Sequence, residues 1–273
     1  MSLLEYDFFN HALIATLIIG ICCGLIGTYI VSRRMVFISG GISHASFGGL
    51  GLAHYMGFDP MAGAAVAALL SGIGILRLSG RKGIKEDSLI GIFWSAGMAI
   101  GIVFIALSPG YTPNLMSYLF GNILTVTLRQ ILVSAVLCLA VILFFAVCNR
   151  QLFYIAFDRE YARTHNINIE AIETVAVLLI SLSVVICMKL AGIILVISYL
   201  TVPPVIAGMI FPDFRKQLPA SVAVSVAGSA GGLFIAALTD MPTGAVIVLT
   251  FFMLLLFVWG NKQIRIFRSR AHS

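Results

Sequence analysis

Long apolar runs recur along this chain, and each is long enough to cross a lipid bilayer as a helix. A helix of about 20 apolar residues spans the hydrocarbon core. By that measure the sequence predicts spans near residues 8–32, 36–56, 60–78, 88–108, 128–148, 174–190, 191–211, 219–238 and 243–260. Only 10% of the 273 residues are charged, against roughly 25% in soluble domains. We therefore expect an all-α, polytopic membrane bundle of roughly eight to ten helices, forming a single transmembrane domain over residues 1–273.

Two segments leave the span count open. Residues 174–211 are compatible with one kinked hairpin that turns between Lys189 and Gly192. Residues 113–127, with the sequence PNLMSYLFGNILTVT, are compatible with a short re-entrant helix.

The positive charges predict the orientation of the chain in the membrane. Cytoplasmic loops of membrane proteins carry an excess of Lys and Arg. With the spans above, only Arg129 and Lys189 fall outside one set of loops, while Glu5, Asp7, Asp59 and Asp240 lie at the opposite ends. We expect the N-terminus outside and a basic cytoplasmic tail over residues 261–273. Topology accounts for the net charge of +6, so nucleic-acid binding is an unneeded explanation. The cations assigned to the cytoplasmic side are Arg33, Arg34, Arg77, Arg81, Lys82, Lys85, Arg150, Arg159, Arg163, Arg215, Lys216, Lys262, Arg265, Arg268 and Arg270.

Small residues and cysteines point to packing. Glycines four residues apart let helix backbones approach closely, and three such pairs occur in predicted spans. The five cysteines lie in apolar runs without C-x-x-C spacing, so we interpret them as small buried hydrophobes rather than a disulfide framework. The glycine pairs are Gly20/Gly24, Gly97/Gly101 and Gly228/Gly232.

The second predicted span contains the segment SGGISHASFGG, residues 39–49. Residues four apart share a helix face, so the imidazole of His44 is predicted to project from a narrow stripe of small residues. A polar ring in a membrane is costly and should face the bundle interior or a water-filled path, and imidazole suits zinc and related cations. Spacing alone leaves open a second interpretation, a histidine hydrogen-bonded across a helix interface. The candidate pathway residues around His44 are Ser39, Gly40, Ser43, Phe47, Gly48 and Gly51.

His54 is a second candidate metal ligand. It follows His44 by ten residues, roughly 15 Å along a helix and about 80° around it, so one ion cannot bridge both. It lies near the outer end of the span beside Asp59. A histidine at the membrane interface is the other interpretation of this residue.

Four stretches together resemble the ABC-3 family, the membrane subunits of zinc, manganese and iron ABC importers. ISHASFGG resembles the family's ISHA…G signature, and AFDREYARTHNI (residues 156–167) is similar to its FDPEFAR-x-x-G-I segment. AGIILVISYLTVPPVIA (191–207) and DMPTGAVIVL (240–249) resemble its later motifs. Many members carry an aspartate four residues before the histidine, where this chain has Gly40. Loss of that carboxylate disfavours Mn²⁺ relative to zinc by ligand softness.

The resemblance implies an assembly and a cargo. Two copies of the chain would form a homodimeric pathway, two ATP-binding cassette subunits would dock on the cytoplasmic side, and an extracytoplasmic metal-binding protein would face Asp59 and Asp240. The expected cargo is a divalent metal ion, zinc first with manganese or iron as alternatives, and no permanently bound cofactor is expected. The location implied is the bacterial inner membrane, with a cytoplasmic C-terminus. Since the sequence has no G-x-x-x-x-G-K-[ST] motif, ATP chemistry must belong to a partner, and this chain is not expected to be an enzyme.

The cytoplasmic loop predicted over residues 149–173 is the expected docking site for the ATPase. Asp158 can N-cap a short helix, and Phe157 and Tyr161, four apart, would share one face of it. Aromatic side chains on a short polar helix suit a groove in a partner, although the headgroup zone of the bilayer is an alternative environment. The docking candidates are Phe157, Asp158, Arg159, Glu160, Tyr161 and Arg163.

Pro203 and Pro204 are predicted to interrupt the span at 191–211, as a pathway hinge or as a static kink.

Other function classes fit less well. A secondary metal transporter usually has carboxylates within its spans, a permease for a metal chelate has less need of a glycine-framed histidine, and a membrane enzyme needs a cluster of ligands that five scattered histidines do not supply.

Overall fold

The computed structural model describes residues 5–79, 84–108, 121 and 123–271, and these residues form helices and short connections without a β-strand. A 3₁₀ turn, Ile123–Thr125, precedes the fifth long helix. The predicted re-entrant helix at 113–127 falls mainly outside the described residues. The helices are α1 (Asp7–Ser32), α2 (Val36–Tyr55), α3 (Pro60–Leu78), α4 (Glu86–Leu107), α5 (Leu128–Phe157), α6 (Arg159–Thr164), α7 (Ile169–Ala191), α8 (Ile193–Ile210), α9 (Phe214–Thr239) and α10 (Thr243–Ala271).

Within the described part of the chain, 9 helices are long and apolar enough to cross a membrane, and they coincide with the nine predicted spans. The short helix α6 is too short to cross a membrane and is not one of these nine helices. The all-helical membrane fold is therefore confirmed. Helix α5 continues to Phe157, nine residues past the predicted end of its span, because no Gly or Pro interrupts residues 149–157. The first part of the predicted 149–173 loop is thus helix, and the predicted tail from residue 261 continues α10 to Ala271.

A single residue, Gly192, connects α7 to α8. Its φ of +82° lies in a region that favours glycine, and it allows the chain to end one helix and begin the next without a loop. Of the two alternatives for residues 174–211, the structure therefore shows two separate helices that meet at a sharp turn.

All three glycine pairs lie at helix interfaces, as their spacing predicts. A Cβ at Gly24 of α1 would lie 2.8 Å from the Cα of Val222 on α9. Gly228 and Gly232 of α9 face Phe251 and Ile247 of α10. Gly97 and Gly101 of α4 face α2. A side chain at these positions would overlap the facing helix, so the glycines let the helices pack closely. At Gly24, Gly97 and Gly232 the nearest facing atom belongs to the backbone of the other helix.

Among the candidate spans, helix α2 has the largest buried share. It has the lowest mean hydropathy of the candidate spans, 1.2, yet 72% of its most apolar window is buried. Its most extensive neighbours are α4 and α3, with further contacts to α7 and α8. A helix with many Gly and Ser residues is stable at this position because protein, rather than lipid, surrounds it.

Helix α8 is continuous through Pro203 and Pro204, so the prediction that the prolines break the helix is wrong, while a kink or hinge at this point stays a prediction. Both prolines are buried. The carbonyl of Leu200, which the ring at position 204 deprives of its helical donor, lies against Gly27 of α1, where a Cβ would come within 2.6 Å of the oxygen. Protein packing around the freed carbonyl therefore lets the helix continue.

The charges segregate to two ends of the bundle. Arg77, Arg159 and Arg163 line one cavity of about 800 Å³. At the opposite ends of the helices, Asp59, Arg129 and Lys189 line another of about 490 Å³. The two cations outside the predicted cytoplasmic set therefore share one environment with an acidic residue of the predicted outer face.

Candidate metal pathway and docking surface

His44 lies near the middle of α2 and is half-buried in the isolated chain. The side chains before and after it are more enclosed: Ser39 and Ser43 are fully buried, and Phe47 is 1% exposed. Both serine hydroxyls donate to carbonyls of their own helix, Ser43 Oγ to the Ser39 oxygen at 2.7 Å and Ser39 Oγ to the Val36 oxygen at 2.9 Å. The polar atoms of these serines are therefore satisfied within α2, and the imidazole is the group of this stripe that reaches the protein surface.

Two side chains of α4 surround the imidazole. The ring of Trp94 stacks on it with centroids 4.1 Å apart and planes inclined by 12°. The His44 Nδ1 atom lies 3.2 Å from the Sδ atom of Met98. Trp94 and Met98 are four residues apart, so one face of α4 supplies both contacts. Neither Trp94 nor Met98 is predicted as a site residue from the sequence, because only the pairing of α2 with α4 in the folded chain places them beside His44.

Gly40 provides the space for this arrangement. A Cβ at this position would lie 3.0 Å from the Cζ3 atom of Trp94. The indole therefore occupies the volume that a side chain at position 40, such as the carboxylate that the family resemblance leads one to expect, would need. The absence of a carboxylate at Gly40 and the position of Trp94 are two aspects of one packing arrangement.

Gly48 and Gly51 face α4. A Cβ at Gly48 would lie 2.8 Å from the carbonyl oxygen of Gly97, and one at Gly51 would lie 2.6 Å from that of Gly101. In the single chain these glycines accommodate a neighbouring helix, and their assignment to a pathway stays a prediction. The same holds for the buried Ser39, Gly40, Ser43, Phe47, Pro203 and Pro204.

The other outer-face candidates lie at helix ends. His54 is half-buried in the last turn of α2. Asp59 N-caps α3, where its Oδ1 accepts from the amides of Met61 at 2.7 Å and Ala62 at 3.3 Å. Asp240 follows α9 with a left-handed φ of +52°. Asp59 and Asp240 are exposed, and the alternation of the helices places all three residues at the same end of the bundle. Their roles toward a metal or a binding protein stay predictions.

At the other end, α6 forms as predicted but its aromatic neighbours differ. Asp158 caps α6 through its Oδ1, which accepts from the Tyr161 amide at 2.9 Å. Phe157 is the last residue of α5 and Tyr161 belongs to α6, so the prediction that they share one face of one short helix is wrong. The physical reason is the cap itself, since Asp158 ends α5 and begins α6 with a non-helical backbone.

Each of the two aromatic residues joins its own cluster. Phe157, 57% exposed, lies 5.0 Å from Phe153 and 5.7 Å from Phe214 between ring centroids. Tyr161 lies 4.5 Å from Tyr154 and 3.8 Å from His165 in the same measure. Asp158, Glu160 and Arg163 are exposed between them. This end of the bundle therefore presents aromatic and charged groups together, beside the cavity of about 800 Å³.

A buried carboxylate ties α6 to the transmembrane helices. Glu173 of α7 is 5% exposed. Its Oε1 accepts from Arg33 at the end of α1 at 2.7 Å, and its Oε2 accepts from Arg159 of α6 at 2.9 Å. Arg33 also donates to the Ile155 carbonyl of α5 at 2.9 Å. Arg159, predicted as a docking residue, thus anchors α6, and the contribution of Glu173 was not recognised from its position at a span edge.

The described residues contain no group of three or more His, Cys, Asp or Glu side chains placed to hold a metal ion. Four of the five cysteines, Cys22, Cys23, Cys138 and Cys187, are buried and all five are free thiols. This agrees with their interpretation as small core residues. Any metal contact of this chain at His44 therefore has few ligands, which distinguishes it from a closed structural site.

Comparison with known proteins identifies the family. A membrane protein of Synechocystis is 37% identical over 90% of this chain and 88% of its own length. The manganese transport system membrane protein MntC of Halalkalibacterium halodurans is 32% identical over 96% of this chain and 90% of its own. The structure of PsaBC from Streptococcus pneumoniae in complex with a Fab superposes with a TM-score of 0.83 at 30% identity, covering 94% of this chain and 92% of that one. The model of the ABC 3 transport family matches residues 5–261, and this chain belongs to that family.

Proposed function

We propose that the chain is the membrane-spanning subunit of an ATP-driven importer of a divalent metal ion, with zinc as the cargo, and that two copies enclose the pathway. The chain is a multi-pass transport protein of the ABC 3 family and not an enzyme. A relative named as a manganese transport membrane protein supports metal as the class of cargo. The observation that carries the proposal is His44, a half-buried imidazole inside a membrane bundle, at the surface between α2 and α4.

The position of His44 supports a pathway between two copies. Trp94, beside it, is 36% exposed, and Met98 is half-buried. The imidazole is thus reachable from one side of the chain and enclosed on the other. A second copy covering this side would close a path along which both imidazoles offer brief contacts. Weak contacts suit a pathway, since an ion that binds tightly does not leave.

The cytoplasmic end supports an ATPase partner. Arg159 and Arg163 of α6 line a cavity of about 800 Å³, and Phe157, the last residue of α5, is exposed at the same end of the bundle. Exposed aromatic and charged groups together suit contact with a groove or helix of a partner. The salt bridges of Glu173 connect this surface to α1 and α7, so movement imposed by a partner reaches the bundle. This end faces the cytoplasm of a bacterial inner membrane, and an extracytoplasmic metal-binding protein meets the end with Asp59 and Asp240.

The structure gives reasons to prefer this function over an ion-gradient carrier. The buried carboxylate of the described spans, Glu173, lies at a helix end and is paired with two arginines. A carboxylate neutralised in this way is poorly placed to shuttle protons through the membrane.

The test is metal uptake by the complete transporter reconstituted with its ATPase and binding protein. His44→Ala is expected to abolish zinc uptake while the complex still co-purifies, because the pathway loses its nitrogen contact. His11→Ala, a half-buried histidine of α1, is the matched control and keeps uptake. Full uptake by His44→Ala would return His44 to a packing role.

A further inference from the structure

We propose that Met98 is a cargo-selecting ligand, whose thioether shares the transported cation with the imidazole of His44 and favours zinc over manganese. This inference rests on the proposed function, because it specifies which ions pass His44. It starts from one contact, the 3.2 Å between His44 Nδ1 and Met98 Sδ.

The distance between the two atoms fits a shared ion. Zinc binds histidine nitrogen at about 2.0–2.1 Å and thiolate sulfur at about 2.3 Å, and with a sulfur distance of about this size a tetrahedral angle separates the two ligand atoms by about 3.6 Å. The observed 3.2 Å requires the side chains to part by only about 0.4 Å. A methionine side chain has three rotatable bonds and accommodates such a shift readily.

The surrounding residues hold the imidazole in the orientation that this sharing needs. Trp94 covers one face of the ring at 4.1 Å with nearly parallel planes. Gly40 leaves room for the indole, and Gly97, next to Met98 on α4, packs on the backbone of α2 at Ala45. Rotation of the imidazole out of this plane is therefore blocked on one side. The Nδ1 lone pair is available to a cation when the ring proton resides on Nε2.

The imidazole of His44 and the thioether of Met98 are ligands that softer metal ions prefer. Thioether and imidazole ligands suit zinc and copper(I), whereas manganese prefers carboxylate, carbonyl and water oxygens. Within the described residues no cluster of three or more His, Cys, Asp or Glu side chains offers an alternative. Two ligands from one chain do not complete a tetrahedral site, so the ion keeps water or meets the second copy and is released readily.

The pair is also reachable. His44 and Met98 are both half-buried, and Trp94 is 36% exposed. A dry packing contact between α2 and α4 would enclose all three side chains, as it encloses Phe47 at 1% exposure. Packing of α2 on α4 does not require a nitrogen and a sulfur ligand to remain partly exposed side by side, whereas binding of a passing ion does.

The test compares Met98→Leu with wild type in the complete transporter, using zinc and manganese salts as separate cargoes. Leucine keeps the side-chain volume, and volume-conserving exchanges of this kind usually have a small effect on stability. We expect the ratio of zinc to manganese uptake to fall at least about tenfold, since even indirect partners of metal ligands are worth 10–100-fold in affinity. Met253→Leu, which removes a 60% exposed thioether of α10, is the matched control and keeps the wild-type ratio.

X-ray absorption at the zinc edge gives a readout independent of transport. Zinc-loaded wild type and Met253→Leu are expected to show a sulfur neighbour bonded to the zinc, at a distance of at least about 2.3 Å, that Met98→Leu lacks. Met98→Cys, which retains a sulfur, is expected to restore that neighbour. A spectrum without sulfur in the wild type overturns the inference.

The outcomes separate this inference from the proposed function. If His44→Ala abolishes uptake of both metals while Met98→Leu keeps the wild-type zinc-to-manganese ratio, Met98 is a packing residue and only the inference fails. If His44→Ala transports both metals normally, the pathway itself is wrongly placed. If His44→Ala abolishes uptake and the zinc-to-manganese ratio falls in Met98→Leu but not in Met253→Leu, the proposed function and this inference are both supported.

Discussion

Glycine residues set how closely α2 and α4 approach, and through that distance they set the surroundings of His44. Gly48 and Gly51 of α2 face the carbonyls of Gly97 and Gly101 of α4. Because lipid provides no hydrophobic drive for helices to associate, close packing must stabilise the contact between α2 and α4. The two helices can approach this closely because glycine has no side chain.

Gly97→Ala is expected to destabilise the protein. Its new methyl group would overlap the backbone of Ala45, and overpacking of this kind costs typically 1–3 kcal/mol. The measurement is the midpoint of thermal unfolding in detergent, which should fall. Gly91→Ala on the same helix is the matched control, because a Cβ there meets nothing within 4 Å. An unchanged midpoint for Gly97→Ala would mean that α2 and α4 are less closely packed than described.

The helix face on which a residue lies could largely be predicted from the sequence. Which residues of a neighbouring helix it meets could not, because that depends on how the turns of the two helices align. Periodicity places His44 on a stripe of small residues because a helix repeats every 3.6 residues. It also assigns the glycine pairs to interfaces. Trp94 and Met98 could not be assigned to His44 in the same way, since they lie on another helix and nothing in the local sequence states which turn of α4 faces which turn of α2.

Among the helices, α6 is held in place by one buried charge. Glu173 receives hydrogen bonds from Arg33 and Arg159, so a single carboxylate joins α1, α6 and α7. Removing one partner of a buried ion pair costs more than the pair contributes, because it leaves the other charge uncompensated. Here the guanidinium of Arg33, whose side chain is 17% exposed, is the group left most buried.

Glu173→Gln is therefore expected to lower stability by up to about 3 kcal/mol and to loosen α6. Because α6 borders the proposed ATPase surface, co-purification of the ATPase should weaken and transport per ATP hydrolysed should fall. Glu170→Gln, an exposed glutamate of the same helix without a salt bridge in the described chain, should behave as wild type. Equal behaviour of the two variants would show that the charge network does not position α6.

The segment around α6 shows where element-scale prediction from sequence ends. The capping role of Asp158 follows from residue type and spacing. The end of α5 at Phe157 is harder to predict, because hydropathy locates the part of a helix inside the bilayer and the absence of Gly and Pro from residues 149–157 permits a longer helix without requiring one. The spacing of Phe157 and Tyr161 predicts a shared face, and the cap at Asp158 separates them into two helices.

At the scale of the whole molecule, charge determines orientation. The basic residues predicted to be cytoplasmic include Arg77, Arg159 and Arg163, which meet at one end. At the other end, Arg129 and Lys189 adjoin Asp59. Orientation is set mainly by the number of cations in short loops, so two cations beside Asp59 at the predicted outer end, against the larger number at the other end, are compatible with an outside N-terminus.

Labelling of one introduced, exposed cysteine at a time with a membrane-impermeant maleimide in spheroplasts measures this orientation. The background is Cys148→Ala, which removes the half-buried native thiol and leaves four that are buried. Met241→Cys, at a position 59% exposed beside Asp240, is expected to react in intact spheroplasts because that end faces outward. Glu160→Cys, on exposed α6, is expected to react only after permeabilisation. The reverse pattern would place α6 outside, where no cytoplasmic ATPase could reach it, and would contradict the proposed mode of energy coupling together with the orientation.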